Sequence, residues 1–258
     1  MKVKVLILNY NGIKHLPECL KSVKLIDYDN FEIVVIDNCS SDNSIEYIKK
    51  EHSDVAIIST DMNLMFGGGY NYFFNQDTED CFYLILNNDT IVDSKILKHF
   101  LTGANHYGLD NIYGCKIMYE SDSSKIWYAG AKVNLSNGLI RHEGIRQEGI
   151  ALKDGITDYV TGCCMFISSS TVRKLGGFDT QFDMYMEDVD LCLRAKKQDI
   201  HCYFLKDPFL FHKVSGSSSI GFKIFKSVVS YTKLSIKHTG ILSVFNIPFF
   251  LIRRIMSI

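Results

Sequence analysis

The chain has 258 residues and a formal net charge of −1, from 28 basic and 29 acidic side chains. Hydrophobic residues make up 47% and charged residues 22%, which is ordinary for a globular protein. The near-neutral charge excludes a strongly basic nucleic-acid binder and a highly charged disordered chain. The low content of proline (three) and glycine (eighteen) excludes collagen-like and low-complexity chains.

Short apolar runs and amphipathic segments alternate in the first hundred residues. The runs predict strands at 3–8, 31–36, 55–59 and 81–86, and a helix is predicted at 15–24. Residues 40–43 predict the start of another helix, with Asn43 and Glu46 spaced as in a capping box. A Gly-rich turn, Gly67-Gly68-Gly69, is expected to open the helix after the third strand.

Buried strands that alternate with helices predict an α/β fold with a mostly parallel central sheet. Ligands bind at the carboxyl ends of the strands in such sheets. Three polar clusters, at 9–11, 37–38 and 87–89, fall at predicted strand ends. Their convergence predicts a ligand site at this edge of the sheet.

The pattern changes after residue 110. Further strands are predicted at 112–119, 126–133, 159–168 and 201–205, a helix at 186–198 and a hairpin turn at Asn137-Gly138. The stretch 139–157 has weak periodicity and predicts a mobile loop. With no internal repeat and no flexible linker, we expect one domain at 1–220 followed by a helical appendage at 221–258.

The appendage contains fourteen consecutive uncharged residues, Thr239–Ile252. A membrane-spanning helix needs about 20 apolar residues, and Pro248 interrupts this run. Because lysines precede it and Arg253 and Arg254 follow it, the pattern favours a helix that lies in a membrane interface. The alternative is a terminal helix packed on the core or on another subunit.

Eight cysteines are spread along the chain without a C-x-x-C pair or a zinc-type spacing. Several lie in apolar runs, which favours reduced cysteines in the core. The N-terminal sequence MKVKVLILNYNG has too short an apolar run for a signal peptide and no small-residue cleavage site. We therefore expect a cytoplasmic protein.

Four residues are candidates for chemistry. Asp89 follows a predicted strand and suits a hard divalent cation that also binds substrate phosphates, although Asp is also a common turn residue. Glu187-Asp188 begins a predicted helix, whose N-terminus helps to keep a carboxylate ionised and available as a base. Two capping carboxylates are the alternative there. His212 becomes a metal ligand or phosphate partner only if Asp89 lies nearby.

Two glycine- and serine-rich segments are candidates for phosphate contacts. The glycines at 67–69 allow close approach of a backbone to an anion, with a plain tight turn as the alternative. They form neither the G-x-G-x-x-G fingerprint nor a P-loop, which argues against NAD enzymes and P-loop NTPases. The Ser-rich stretch at 215–219 predicts a flexible loop with hydroxyl and N–H groups for a phosphate.

Taken in chain order, these segments resemble the family-two inverting glycosyltransferases with the GT-A fold. The resemblance is strongest to the bacterial branch with rhamnosyltransferases and related surface-polysaccharide enzymes, and it covers roughly residues 3–219. The segments that carry it are NYNG at 9–12, VVIDN at 34–38, SSD at 40–42, Asn63, FGGGYN at 66–71, LNNDT at 86–90, GGFD at 176–179, MYMEDVDL at 184–191, Arg194 and His212.

The resemblance implies a Rossmann-like sheet flanked by helices, with a nucleotide-binding half at 1–110 and an acceptor-binding half at 111–220. It implies that Asp188 is the catalytic base with Glu187 beside it, and that Asp89 and His212 hold Mn²⁺ or Mg²⁺ on the donor diphosphate. Asp37 matches the residue that reads the pyrimidine base. The residues implied to line the donor nucleotide pocket are Asn9, Tyr10, Asn11, Asp37, Asn63, Gly67, Gly68, Asn71, Asn87 and Asn88.

The chain departs from the family pattern in two places. Asn87 occupies the first acidic position of the D-x-D motif, which leaves metal binding to Asp89 and His212. Met65 and Tyr70 stand where many relatives have smaller or different residues, so the resemblance does not identify the donor sugar.

The implied reaction moves a sugar from a UDP- or dTDP-sugar to a glycan or polyprenyl-linked glycan in bacterial surface-polysaccharide synthesis. The expected place is the inner face of the cell membrane, with no nucleic-acid partner and with homo-oligomerisation left open. One alternative is a sugar-nucleotide nucleotidylyltransferase, but its N-terminal Gly-rich loop with Arg and Lys is missing. A catalytically silent glycan-binding module is the other, and the intact acidic motifs argue against it.

Overall fold

The computed structural model describes residues 1–214 and 220–256, so the predicted Ser-rich loop at 215–219 lies outside the described residues. The strands are β1 (Val3–Asn9), β2 (Phe31–Asp37), β3 (Ala56–Ser59), β4 (Phe82–Asn87), β5 (Thr90–Val92), β6 (Ile112–Tyr119), β7 (Ile126–Tyr128), β8 (Ala131–Asn134), β9 (Leu139–His142), β10 (Gly155–Thr157), β11 (Cys164–Ser168) and β12 (Cys202–His212). The helices are α1 (Leu16–Lys24), α2 (Ser44–Glu51), α3 (Met65–Phe74), α4 (Ile96–Tyr107), α5 (Ser169–Leu175), α6 (Glu187–Lys196), α7 (Ile220–Thr239) and α8 (Ile247–Met256). Short 3₁₀ helices lie at Leu135–Asn137 and Ile241–Asn246.

One mixed sheet runs through the molecule in the order β10-β12-β6-β11-β4-β1-β2-β3, with β5 beside β12 and β7 beside β6. Strands β3, β2, β1 and β4 are parallel, as the alternation of apolar runs and helices predicted. Strand β11 is antiparallel to both β4 and β6 and joins the two parts of the sheet. Strands β8 and β9 form a separate hairpin.

The core is centred on β1 and β4, where consecutive residues are buried. A strand whose neighbouring residues are all buried has both faces covered, which explains its continuous apolar sequence. Beside these strands, Phe166 stacks between Phe82 and Phe100, with ring centroids 4.7 and 5.0 Å away. All eight cysteines are free thiols and only Cys39 is exposed, which confirms the prediction of reduced core cysteines for the other seven.

The helix start predicted at 40–43 is confirmed, because α2 begins at Ser44 with Asn43 as its N-cap residue. The capping box and the helix start predicted at 67–69 are wrong. Asn43 makes no side-chain cap, because Asp42 instead accepts hydrogen bonds from the backbone N–H groups of Ser44 and Ile13. Helix α3 begins at Met65, so the glycine run lies inside it. A Cβ on Gly69 would lie only 2.5 Å from Cδ1 of Leu8, so this glycine permits close packing of α3 on β1.

Five expectations beyond residue 110 also need correction. The strand expected at 126–133 is broken at Gly130, whose φ is +95°, and the one expected at 159–168 begins only at Cys164. The helix expected from Met186 begins at Glu187, and β12 extends seven residues beyond Leu205. The mobile loop expected at 139–157 contains β9, which pairs with β8, and β10, which pairs with β12. Tertiary pairing thus orders segments whose own periodicity is weak.

The hairpin turn predicted at Asn137-Gly138 is confirmed. It connects β8 to β9, and Gly138 has a left-handed backbone with φ +68°. A side chain at Gly138 would also meet the backbone of α8, since a Cβ there would lie 2.5 Å from the nitrogen of Phe250. The turn therefore supports the end of the C-terminal appendage.

The appendage packs on helix α6 through its inner face. Tyr231 is fully buried and stacks on Phe250 of α8 at 4.1 Å between ring centroids. Fully buried Asp190 of α6 accepts from Nε2 of His238 at 2.8 Å and pairs with Lys237 at 2.7 Å. Burial alone would raise the pKa of Asp190, but these contacts and that of Arg194 lower it to about 2.

The outer side of the appendage is apolar and exposed. We call it the apolar tail face; its members are each more than half exposed and are Ile241, Leu242, Phe245, Phe249, Ile252 and Ile255. None of the helices within the described residues is long and apolar enough to span a bilayer.

Candidate active site

The ends of four parallel strands meet at one edge of the sheet, as predicted. Asn9 at the end of β1 lies beside Asp37 at the end of β2, and Asp37 lies beside Ser59 at the end of β3. On the other side of β1, Leu8 is paired with Asn87 at the end of β4. The three polar clusters of the sequence therefore share this edge.

Asn9 is the centre of a buried polar network at this edge. Its Nδ2 lies 3.0 Å from Oγ of Ser44, 3.1 Å from Oγ of Ser40 and 3.3 Å from Oδ1 of Asp37. Its Oδ1 accepts a hydrogen bond of 3.0 Å from Nδ2 of Asn88. Asn9 thus fixes the loops after β1, β2 and β4 relative to one another.

Three further residues of the predicted nucleotide pocket border this network. Oδ1 of Asn11 accepts from the backbone N–H of Ser41 at 2.7 Å, and the neighbouring Tyr10 is half exposed. Oδ1 of Asn63 accepts from Nδ2 of Asn38 at 2.9 Å and from the N–H of Met65 at 2.8 Å. The start of α3 is therefore tied to the end of β2.

Gly67, Gly68 and Asn71 lie on α3 and face protein. The Asn71 side chain donates to the carbonyl of Phe178 at 2.7 Å and accepts from its N–H at 2.9 Å. A Cβ on Gly67 would lie 2.9 Å from Cβ of Phe178, and one on Gly68 would lie 3.0 Å from Cβ of Leu64. These residues hold the loop after α5 against α3, and their contact with a nucleotide stays a prediction.

Asp89 and His212 come together across the β5–β12 pairing. Oδ1 of Asp89 lies 3.3 Å from Nε2 of His212, and the carbonyl of Asp89 accepts from the N–H of Lys213 at 3.0 Å. The His212 ring packs edge-on against Trp127 at 4.6 Å. His212 therefore lies near Asp89, which is the condition that the sequence analysis set for His212 as a metal ligand or phosphate partner.

One carboxylate and one imidazole fit a divalent cation that takes its other ligands from substrate phosphates and water. The residues described contain no group of three or more His, Cys, Asp or Glu side chains placed for a metal ion. An ion held by Asp89 and His212 would therefore need further ligands from water or a bound substrate.

Glu187 and Asp188 follow a sharp turn, in which Tyr185 and Met186 have left-handed φ angles of 69° and 71°. Asp188 accepts backbone hydrogen bonds from Gly162 at 2.9 Å and from Val189 at 2.8 Å. Oε2 of Glu187 is shielded from solvent and has no hydrogen-bond partner among the described residues.

The two carboxyl groups have different tendencies to ionise. Burial and the neighbouring charge of Asp188 raise the pKa of Glu187 to about 8. Burial also raises the pKa of Asp188, but the N–H groups of Gly162 and Val189 act in the opposite direction. Of the two carboxyl groups, Glu187 thus favours its protonated form, whereas Asp188 has backbone N–H donors that favour its ionised form.

A cavity of about 690 Å³ opens beside this pair, between the β8–β9 hairpin, α6, α7 and α8. Residues of its wall that the sequence did not reveal are Trp127, Arg141, His142, Arg146, Tyr159, Tyr185, Phe250 and Arg254. They come from distant parts of the chain and carry no common spacing. The local features that indicate a site here, among the described residues, are the left-handed turn before α6 and the turn at Gly138.

The paired carboxyls and the Asp89–His212 pair belong to one region. Burial raises the pKa of the Cys163 thiol, and the charges of both Asp89 and Asp188 add to this effect. Trp127 contacts His212 with its ring and also lines the cavity beside Asp188. Trp127 therefore borders both the Asp89–His212 pair and the cavity that Asp188 lines.

The sequence profile described as "Glycosyl transferase family 2" matches residues 4–176. The chain belongs to this family. It is a family-two glycosyltransferase with a GT-A-like fold, as the sequence motifs predicted. The matched segment includes the strand-end cluster and Asp89, whereas Glu187, Asp188, His212 and the appendage lie beyond it.

Characterised relatives include enzymes of surface-glycan synthesis. The N-acetylglucosaminyl-diphospho-decaprenol L-rhamnosyltransferase of Mycobacterium tuberculosis is 23% identical over 215 residues, which are 75% of this chain and 70% of the relative. The rhamnosyltransferase WbbL of Escherichia coli is 22% identical over 222 residues, covering 79% of this chain and 80% of the relative.

Solved structures confirm the fold at lower sequence identity. A structure of GalNAc-T7 with UDP, GalNAc and Mn²⁺ has a TM-score of 0.73 at 15% identity and covers 92% of this chain. This chain corresponds to only 48% of that protein. A UDP complex of Staphylococcus aureus TarS has a TM-score of 0.62 at 17% identity and covers 99% of this chain and 72% of that one.

Proposed function

We propose that the protein is an inverting glycosyltransferase that moves a sugar from a UDP- or dTDP-sugar to a hydroxyl of a glycan or polyprenyl-linked glycan. The observation that carries this proposal is that Trp127 borders both the Asp89–His212 pair and the cavity that the Asp188 carboxyl lines. A single displacement needs both groups, because the leaving diphosphate and the attacking hydroxyl lie on opposite sides of the sugar. The relatives' names, which include two rhamnosyltransferases, support a role in surface-polysaccharide synthesis.

Each part of the site has a role in this reaction. Asp188 takes the proton of the acceptor hydroxyl as its oxygen attacks the anomeric carbon, and protonated Glu187 beside it can hydrogen-bond to the sugars. The strand-end network around Asn9 and Asp37 shapes the nucleotide pocket. Asp89 and His212 would hold Mn²⁺ or Mg²⁺, and such an ion neutralises charge that develops on the leaving diphosphate. Neighbours solved with Mn²⁺ support the choice of a divalent ion.

Nucleotide binding tests this proposal directly. A donor that binds only the folded protein raises the melting temperature by about 5–10 °C at one hundred times its Kd. We expect this shift with UDP- or dTDP-sugars in the presence of Mn²⁺ and not with GDP-sugars, measured by differential scanning fluorimetry. Absence of any nucleotide shift would contradict the proposal, and release of pyrophosphate from a nucleoside triphosphate would indicate a nucleotidylyltransferase instead.

We also propose that the apolar tail face rests on an anionic membrane surface. Six exposed aliphatic and aromatic side chains form this face. Residues 220–256 contain six basic side chains and no acidic one, which complements anionic lipid headgroups. The inner face of the appendage packs on the core and its outer face is exposed, so packing on the core and contact with a membrane are compatible.

Flotation with liposomes tests the membrane contact. Burial of two phenylalanine side chains contributes about 3 kcal/mol or more to binding. We therefore expect the double variant Phe245→Gln with Phe249→Gln to bind phosphatidylglycerol vesicles with about 100-fold lower affinity. Leu25→Gln, which alters an exposed leucine directly after α1, is the matched control. Equal flotation of all variants, or none by the unaltered protein, would contradict this contact.

A further inference from the structure

Helix α7 of the appendage contacts both ends of the loop that leads into α6. We call residues 179–186 the carboxylate loop, because the two active-site carboxyl groups follow it directly. Nζ of Lys237 lies 2.6 Å from Oδ2 of Asp179, where this loop begins, and 2.7 Å from Oδ1 of Asp190, in the first turn of α6. We propose that Lys237 is a positioning residue, which closes the carboxylate loop and thereby holds Asp188 in place for proton transfer. The inference rests on the proposed transferase function.

The bridge through Lys237 joins two carboxylates that would otherwise repel each other. The side chain of Asp190 is fully buried, and that of Asp179 is 19% exposed. Burial and the charge of Asp190 raise the pKa of Asp179, but the contact with Lys237 is among those that lower it overall. Without the ammonium group, two negative charges would face each other across the ends of the loop. Lys237 therefore sets the distance between the start of the loop and α6.

Two further contacts from α7 hold the middle of the carboxylate loop. Nζ of Lys233 donates to the carbonyl of Gln181 at 2.7 Å, and Oγ of Ser230 donates to the carbonyl of Met184 at 2.7 Å. Ser230, Lys233 and Lys237 are spaced three and four residues apart, so they lie on one face of the helix. This face of α7 thus contacts the loop along its length.

The end of the carboxylate loop has a backbone conformation that needs support from its surroundings. Tyr185 and Met186 have φ angles of 69° and 71°, which residues with a side chain rarely adopt. Such a conformation persists where neighbouring contacts fix it. Contacts of α7 lie on both sides of this turn, at Met184 and at Asp190. The position of Asp188 therefore depends on the appendage.

Positioning explains this ion pair better than stability does. The removal of two charges from water costs about as much free energy as their attraction returns, so a buried ion pair contributes little net stability. Such a pair can instead select one arrangement of the elements that it joins. Asp190 also contacts Arg194 and His238, each at 2.8 Å, so α6 stays attached to α7 when Lys237 is replaced. Loss of Lys237 should release the loop without unfolding the chain.

The contact between the loop and the appendage lies outside the segment that the family profile matches. The matched segment ends at residue 176, and the carboxylate loop, α6 and α7 all follow it. In this chain, residues beyond the matched segment therefore complete the active site. The appendage serves catalysis as well as the proposed membrane contact.

Hydrogen exchange of the loop tests the closure. In Lys237→Met the side chain keeps a similar length and loses its charge. We expect the amides of residues 179–190 in the full-length variant to exchange at least about tenfold faster, measured by mass spectrometry, with β1 and β4 unchanged. Lys237→Arg keeps the charge and should restore the protection. Lys223→Met, near the start of the same helix, is the matched control and should exchange as the unaltered protein does.

Donor cleavage by water provides a readout of the base itself. Water replaces the acceptor: its oxygen bonds to the anomeric carbon, its proton goes to Asp188, and the nucleoside diphosphate leaves. UDP-glucose, UDP-N-acetylglucosamine and dTDP-rhamnose are the probes, each with Mn²⁺. We expect Lys237→Met to lower kcat at least about tenfold, because small displacements of a catalytic group have effects of this size. The donor KM should stay within about twofold, since the strand-end network is unchanged. Lys237→Arg should recover kcat.

Three outcomes would overturn the inference. The first is equal loop exchange in Lys237→Met and the unaltered protein, which decides the matter even where water is not accepted. The second is faster loop exchange with an unchanged kcat. The third is faster exchange throughout the sheet together with loss of nucleotide binding, because Lys237 would then support the whole fold.

The nucleotide experiment separates this inference from the proposed function. A melting-temperature shift of the unaltered protein with UDP- or dTDP-sugars, together with any of these three outcomes, would overturn the role of Lys237 alone. Absence of the shift would overturn the transferase function, and the exchange of the loop would still show whether Lys237 closes it.

Discussion

Asp188→Asn is expected to lower the rate of sugar transfer about 10²–10⁴-fold, the usual contribution of a general base. The amide cannot take the acceptor proton, whereas the nucleotide pocket around Asn9 and Asp37 is unchanged. UDP binding, measured by calorimetry, should therefore stay within about twofold of that of the unaltered protein. Transfer at the original rate would exclude Asp188 as the base.

The structural cost of this substitution needs its own measurement. The two carboxylate oxygens of Asp188 each accept one backbone hydrogen bond, from Gly162 and from Val189. An asparagine has a single side-chain oxygen, so one of these two donors loses its acceptor. We expect a loss of about 1 kcal/mol in the free energy of unfolding. Asp183→Asn, which changes an exposed carboxylate near the same turn, is the matched control and should keep full activity. Loss of both folding and UDP binding in Asp188→Asn would support the capping role.

The pH dependence of transfer follows from the same groups. A base acts only when it is ionised, so the rate rises with pH through the pKa of Asp188, which burial holds above the ordinary value of 3.8. A second change is expected near pH 8, where Glu187 loses its proton. Glu187→Gln should remove this second step and keep the first.

Removal of divalent ions is expected to lower transfer at least about 100-fold, because charge on the leaving diphosphate is then unneutralised. Addition of Mn²⁺ or Mg²⁺ should restore the rate. Asp89→Asn should also lower transfer and should abolish the extra melting-temperature shift that Mn²⁺ gives with a bound nucleotide. Asp61→Asn, which alters an exposed carboxylate, is the control.

Full activity in EDTA would remove Asp89 and His212 from a metal role. The 3.3 Å contact between them would then be a local structural contact beside the β5–β12 pairing. A nucleotide shift that is the same with and without Mn²⁺ would lead to the same conclusion.

The sequence by itself determined the family, the parallel part of the sheet and the strand-end cluster. Apolar strands and helical spacing are local patterns, and the carboxyl ends of parallel strands must meet at one edge. For this reason Asn9, Asp37 and Asn87 could be brought together without coordinates. The motif order likewise pointed to Asp89, Glu187 and Asp188.

Only the tertiary structure decided how the second half and the appendage contribute. Strands β9 and β10 are held by pairing with distant partners, so weak local periodicity concealed them. The glycine run serves close packing within α3, which depends on what lies opposite it. The wall of the cavity beside Asp188 joins residues more than one hundred positions apart. Contacts of this kind come from packing between elements, and no local sequence pattern encodes them.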